Sequence, residues 1–153
     1  SSAVCYAFSN LYCWKSVNGG ARFDTLYNFA DNNSNGAVVT SFTDEQHGWV
    51  VRNAQVYRTS NGGQSWTVVK TLNQPYAGAV HFINTTTGYV SDGSTLYGTS
   101  NGGSTWFDAS GAASFSFITD IHFFDALNGY CVTGSRIYQT SNGGQSWTTR
   151  MAR

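Results

Sequence analysis

Three groups of side chains have types and spacing suited to chemistry. Asp44, Glu45 and His47 lie almost side by side, a set that can pair carboxylates for acid and base work or ligate a cation. His81 and His122 are separated by 41 residues, and Asp120 stands two residues before His122, where on a strand it shares that residue's face. Two imidazoles and a carboxylate on one surface would suit a metal or a proton-linked switch. Cys5, Cys13 and Cys131 are the only thiols; they lack CxxC spacing, and none has the neighbouring base that a nucleophilic thiol requires. Bland readings compete with each group. Asp44, Glu45 and His47 are followed at the matching repeat positions by turn formers, Asn84/Thr85/Thr87 and Asp125/Ala126/Asn128, which makes a solvated turn the better account. A Ser, Ser41, stands where the two His stand, a thin ligand set, so no metal and no cofactor is expected.

What must position these groups is a repeat. TSNGGQSW at 59–66, TSNGGSTW at 99–106 and TSNGGQSW at 140–147 are joined by a degenerate SVNGGARF at 16–23. Their Asn markers, Asn18, Asn61, Asn101 and Asn142, are 43, 40 and 41 residues apart. Phe42, Phe82 and Phe123 lie 19 residues ahead of their marker, and Gly48-Trp49, Gly88-Tyr89 and Gly129-Tyr130 lie 13 ahead, with Cys5-Tyr6 in that place in the first copy. Each period holds four short apolar runs, in the second copy 38–43, 49–52, 55–60 and 65–69, which read as strands A to D. No stretch sustains a helical period, and 17 Gly against one Pro suit many tight turns. Four strands in about 40 residues, repeated, spell an all-β propeller. The expectation is one domain over 1–153, with repeats at about 1–34, 35–75, 76–114 and 115–153. Because the first copy opens just past where strand A would end, its blade is expected to lack the innermost strand.

The recurring turn has a mechanical reading. In the second copy Asn61 can bond backbone N–H groups two residues on, Gly62 and Gly63 can take positive φ, and Trp66 can open strand D as an apolar anchor. Gly102, Gly103 and Trp106, and Gly143, Gly144 and Trp147, repeat the same parts. This pattern resembles the Asp box, or bacterial neuraminidase repeat, with Asn in place of Asp in all four copies. The longer blade pattern, Phe and Gly-Trp/Tyr ahead of TSNGGxSW, is similar to propellers of the photosystem II assembly and stability factor type. That resemblance implies a scaffold and leaves activity open, because such propellers include sialidases, other glycan-processing hydrolases, sorting receptors and assembly factors. A sialidase-like site would need an arginine cluster, and Arg22, Arg52, Arg58, Arg136, Arg150 and Arg153 are scattered over different strands and turns.

Composition narrows the partners. Eight basic residues balance eight acidic ones, which excludes a nucleic-acid binder that works by phosphate neutralisation. No apolar run approaches the roughly 20 residues of a membrane-spanning helix, and no signal-peptide pattern is present. Only Lys15 and Lys70 are lysines, which leans toward a secreted, extracellular or envelope protein. Tyr27, Phe29, Tyr76, Phe115 and Phe117 fall between blades, where they either seal neighbouring blades or offer a binding surface to a glycan or protein. Cys5 and Cys13 flank the first hairpin at nearly opposing positions, so they form a cross-strand disulfide or remain buried thiols. The unpaired inner edge of the first blade invites a strand, from another copy or another protein. The expected role is therefore a non-enzymatic binding or self-assembling module; a lectin is the alternative, followed by a glycoside-hydrolase remnant.

Overall fold

The computed structural model describes residues 3–29, 38–74 and 78–152. Fifteen strands form four antiparallel sheets among the described residues. The first blade is β1 (Cys5–Phe8), β2 (Tyr12–Ser16) and β3 (Asp24–Asn28). The second is β4 (Val39–Phe42), β5 (Gly48–Arg52), β6 (Gln55–Thr59) and β7 (Thr67–Thr71). The third is β8 (Ala79–Phe82), β9 (Gly88–Ser91), β10 (Leu96–Thr99) and β11 (Phe107–Asp108). The fourth is β12 (Ile118–Phe123), β13 (Gly129–Thr133), β14 (Arg136–Thr140) and β15 (Thr148–Ala152). Strands pair in sequence order within every blade, the inner strands β4, β8 and β12 adjoin, and blade one begins at what is strand B elsewhere. No helix among the described residues is long and apolar enough to cross a membrane.

Burial follows from this stacking. The second and third strands of the middle blades are covered on both faces: Trp49, Val50, Val51, Val56, Val90 and Leu96 are fully buried. Strand D differs from the 65–69 expectation, because Trp66 packs ahead of the ladder and β7 starts at Thr67. A bulge then places Val69 between the Val56↔Lys70 and Tyr57↔Val68 pairs. The same irregularity recurs at Leu26 and Arg150.

Candidate functional site

The turns that join strands C and D are hydrogen-bonded cages. Thr59 Oγ1 accepts from Gly63 N–H (2.9 Å) and donates to Asn61 Oδ1 (2.9 Å), while Asn61 Oδ1 also accepts from Ser65 N–H (3.0 Å). Asn61 thus reaches four residues on rather than two. Gly62 and Gly63 sit at φ +67° and +85°, which a side chain would strain. Asn101 and Asn142 repeat the bonds, and in blade one Ser16 and Asn18 stand in for them. The amide nitrogen of Asn61 donates to Ser65 Oγ (2.8 Å), so the neutral side chain makes three of its four hydrogen bonds inside the turn. The turn is neutral, and the bonds described for its side chains are local to it.

Between blades a single joint is used three times. Phe42 stacks on Tyr6 of the preceding blade (centroids 4.3 Å, 12°), Phe82 on Trp49 (3.6 Å, 5°) and Phe123 on Tyr89 (3.6 Å, 6°). The forward-reaching aromatic then bonds the next blade: Tyr6 Oη donates to Glu45 O (2.8 Å), Trp49 Nε1 to Gly102 O (3.2 Å) and Tyr89 Oη to Ala126 O (3.0 Å). Burial, reinforced by Asp125, pushes the Tyr89 hydroxyl up to about 12, so it stays a donor at any ordinary pH. On its other side each Phe ring lies across the glycine that opens the next strand. A Cβ built on Gly48, Gly88 or Gly129 would come under 3.0 Å from ring carbons of Phe42, Phe82 or Phe123. Sequence reasoning missed this glycine's task, although the constant six-residue step from Phe to Gly was available to show it.

The two His at the shared repeat position of the inner strands are brought together. His81 and His122 rings lie 4.7 Å apart on β8 and β12. His81 Nε2 is 3.0 Å from the Phe123 carbonyl, which can only accept, so Nε2 carries the proton. One blade earlier, Ser41 Oγ accepts from Phe82 N–H (2.9 Å). The repeated position thus links each inner strand to the next. Burial holds His81 below the ordinary imidazole range; the Phe123 carbonyl opposes this, His122 adds to it and Asp120 opposes it. No group of three or more metal-ligating side chains converges among the described residues.

Other sequence candidates are scattered. Asp44 caps its own turn, accepting from Gln46 N–H (2.7 Å), His47 N–H (2.8 Å) and the His47 ring, bonds that lower its pKa with the Gln46 amide first. Asp125 does the same for Leu127 and Asn128, the Asn128 side chain contributing most. The described arginines keep local company: Arg22 pairs with Asp24, Arg150 with Gln139, and Arg58 lies over Trp49. Arg52 is buried, bonds Asn10 O of the preceding blade and covers the Phe29 ring at 4.7 Å.

The cysteine pairing is corrected by register. Cys5 faces Ser16 and Cys13 faces Phe8, so the two lie at opposite ends of the β1–β2 ladder, and all three thiols are free. Cys13 and Cys131 are fully buried, which pushes both thiols up to about 12. The linker aromatics divide between the two readings, sealing and display. Phe115 is buried against Tyr138 and Trp147, and half-buried Phe29 packs edge-on against Tyr27 and Tyr57. Phe117 is exposed (48%), resting over Gly93, and Tyr76 lies outside the described residues.

With this geometry in hand, the comparisons place the fold. No family model and no curated protein matches the chain. Among solved structures it is similar to YCF48 bound to D1 peptide, with TM-score 0.77 and 14% identity over 99% of this chain and 52% of that one. YCF48 from Cyanidioschyzon merolae gives 0.74 and 18% over 99% and 55%. The GH74 enzyme of Niastella koreensis gives 0.76 and 17% over 99% and 28%. The chain is an all-β propeller by fold, spanning about half the length of the YCF48 chains and about a quarter of the enzyme. Likeness at such identity defines architecture alone.

Proposed function

We propose that this chain is a non-enzymatic protein-binding propeller, acting outside the cytosol or in the cell envelope, whose turns are neutral Asp boxes and whose first partner is another copy of itself. One observation carries the reading: blade four repeats the reaching aromatic of the internal joint, and blade one repeats the turn that the joint covers in the other blades, without the inner-strand Phe. Blade one offers the turn of the receiving half. A Cβ on Gly19 would meet nothing within 4 Å, whereas its counterparts Gly62, Gly102 and Gly143 abut the preceding blade, and Phe23, in the Trp66 position, is 42% exposed. Blade four offers the reaching half in Tyr130, half-buried on β13 where Tyr6, Trp49 and Tyr89 stand in the other blades. Joining the reaching half of one copy to the receiving half of the next is a head-to-tail contact, which closes a ring or extends a filament. The zero net charge sets up no long-range repulsion between copies. YCF48 in one similar structure is bound to a peptide, which supports protein recognition on this scaffold.

Light scattering with negative-stain imaging tests the reading. Rings or filaments are expected, with Tyr130→Asp dissociating them, while a strictly monomeric compact particle overturns it. The likeness to GH74 enzymes favours a second reading, a glycan-binding or hydrolase-derived propeller. Its test is a glycan array together with turnover of a fluorogenic glucoside or sialoside. Against it stand the carboxylates of Asp44 and Asp125, each occupied in its own turn.

A further inference from the structure

The three joints between blades differ in one part. Three residues ahead of its marker Asn, each blade places a cross-strand partner opposite the reaching aromatic: Lys15 faces Tyr6, Arg58 faces Trp49 and Gly98 faces Tyr89. Lys15 Nζ lies over the Tyr6 ring at 5.3 Å, and the Arg58 guanidinium over the Trp49 ring at 5.8 Å. Both heads also reach the turn that the joint covers. A Cβ on Gly62 would stand 3.3 Å from Lys15 Nζ, and one on Gly102 would stand 3.2 Å from Arg58 Cζ. The third joint has glycine in place of the cation. There the Phe107 ring, on β11 where blades one and two have Asp24 and Thr67, lies where a side chain on Gly98 would begin, 2.3 Å from an added Cβ. Phe107 thus replaces the stem of the missing residue, and nothing replaces its head. Among the described residues, a Cβ on Gly143 would meet only the Ala126 carbonyl and the Tyr89 hydroxyl within 4 Å. An open cavity of about 320 Å³ lies there, lined by Tyr89, Phe107, Ala126, Leu127, Gly143 and Gln145.

Two walls of this cavity depart from the repeat as well. Phe107 and Leu127 are exposed apolar residues, where blade two has Thr67 and the earlier turns have Gln46 and Thr86. Such walls suit the methylenes of a long side chain. The charge suits its head: after burial, Asp125 adds to the rise of the Tyr89 hydroxyl, so its negative charge is felt in the cavity, and its described bonds go to Leu127 and Asn128 rather than to a cation. Resting on the protein-binding reading for the source of the cation, we propose that the cavity receives the guanidinium of an arginine on a partner polypeptide. That group supplies at the third joint what Lys15 and Arg58 supply at the first two. Arginine suits the place better than lysine, because its planar, weakly hydrated head lies flat on aromatic faces and donates to carbonyl oxygens.

The test titrates three acetylated and amidated tripeptides into the full chain: Gly-Arg-Gly, its neutral citrulline counterpart and its norleucine counterpart. Amide shifts report the site and the affinity. The arginine peptide is expected to perturb the amides of Ala126, Leu127 and Gly143 and to bind roughly fivefold more tightly than the citrulline peptide, the scale of one cation–π contact and one surface charge. Gly98→Arg combined with Phe107→Thr rebuilds the Arg58↔Thr67 pair of blade two, and Gly98 is not at positive φ, so a side chain is admitted. This double variant is expected to melt no lower than the wild type and to lose the arginine-peptide shifts. Asp125→Asn keeps the turn, since Asn84 accepts from Thr86 and Thr87 N–H in the equivalent one. It is expected to weaken the arginine peptide roughly two- to fivefold and to leave the citrulline peptide unchanged. Equal or tighter binding of either neutral peptide, undiminished binding to the folded double variant, unchanged arginine affinity in Asp125→Asn, or no shift of these amides at millimolar peptide overturns the proposal. Light scattering of the peptide-free chain is read separately, so assembled particles with no peptide binding overturn the cavity's assignment and leave the protein-binding reading standing.

Discussion

Gly88→Ala probes the interblade joint with one methyl group. The Phe82 ring is held between Gly88 on one side and the Trp49 ring, 3.6 Å away and 5° from parallel, on the other. Phe82 is 5% exposed and Trp49 fully buried, so the ring cannot swing into solvent without opening the core. A Cβ under 3.0 Å from ring carbons forces the ring toward Trp49, where no gap exists, or off its rotamer. Overpacking of this kind costs about 1–3 kcal/mol, and losing the aromatic pair adds about 0.5–1.5 kcal/mol. Loss of glycine's freedom in the unfolded chain offsets about 0.4–1 kcal/mol of this, since Gly88 is not at positive φ. The net is about 2–3 kcal/mol, a fall of roughly 4–12 °C in Tm for a domain of this size. The assay is thermal melting followed by tryptophan fluorescence, with Gly134→Ala as control. A Cβ on Gly134 meets nothing within 4 Å, so that variant is expected to melt with the wild type or slightly above it. Phe82→Ala abolishes the clash, so Gly88→Ala added to it should be nearly neutral, a strong coupling in the double-mutant cycle. A Gly88→Ala protein melting within about 1 °C of the wild type would refute the sandwich argument.

Two further expectations follow from the titrating groups. Iodoacetamide at mildly alkaline pH should alkylate half-buried Cys5 in the native chain and spare Cys13 and Cys131, which are fully buried and have thiols near 12; mass spectrometry showing early modification of Cys131 would contradict the packing. His81 has its folded pKa below the ordinary 6.5, so the unfolded chain binds the extra proton first, and its contribution is present above 6.5 and lost as pH falls from there through the folded value. Tm should therefore drop between about pH 7.5 and about pH 5.5, and His81→Gln should flatten that slope; an unchanged slope removes His81 from the account. Asp44 and Asp125, whose pKa values are lowered, act only under more acidic conditions and leave this window clear.

The blades were legible because their turns and joints demand particular atoms at fixed intervals. A cage that needs a hydroxyl, an amide and two residues at positive φ writes Thr-Ser-Asn-Gly-Gly at three periods and Ser-Val-Asn-Gly-Gly at the first, and the fifteen strands follow from counting. Register within a hairpin is a different quantity. Cys5 and Cys13 look opposed when the loop is assumed symmetric, but β1 and β2 pair Phe8 with Cys13 and leave Cys5 at the far end. The start of β7 was misplaced because a Trp beside a run of Thr and Val reads as strand, while Trp66 is withdrawn to pack against Phe8, Phe29 and Phe42. For the linker aromatics, composition cannot separate a sealing ring from a displayed one. Phe115 and Phe117 are two residues apart, yet one is 6% exposed and the other 48%.

Function on this scaffold has to come from what the repeat leaves unused. Asn61, Asn101 and Asn142 spend their polar atoms inside the turns, Asp44 and Asp125 inside theirs, and Arg52 between blades one and two. The stacked aromatics are equally committed wherever a neighbouring blade exists. Beyond the cavity beside Gly143, what remains among the described residues is the Tyr130 face of blade four and the Gly19 face of blade one, the two surfaces on which the self-association proposal rests.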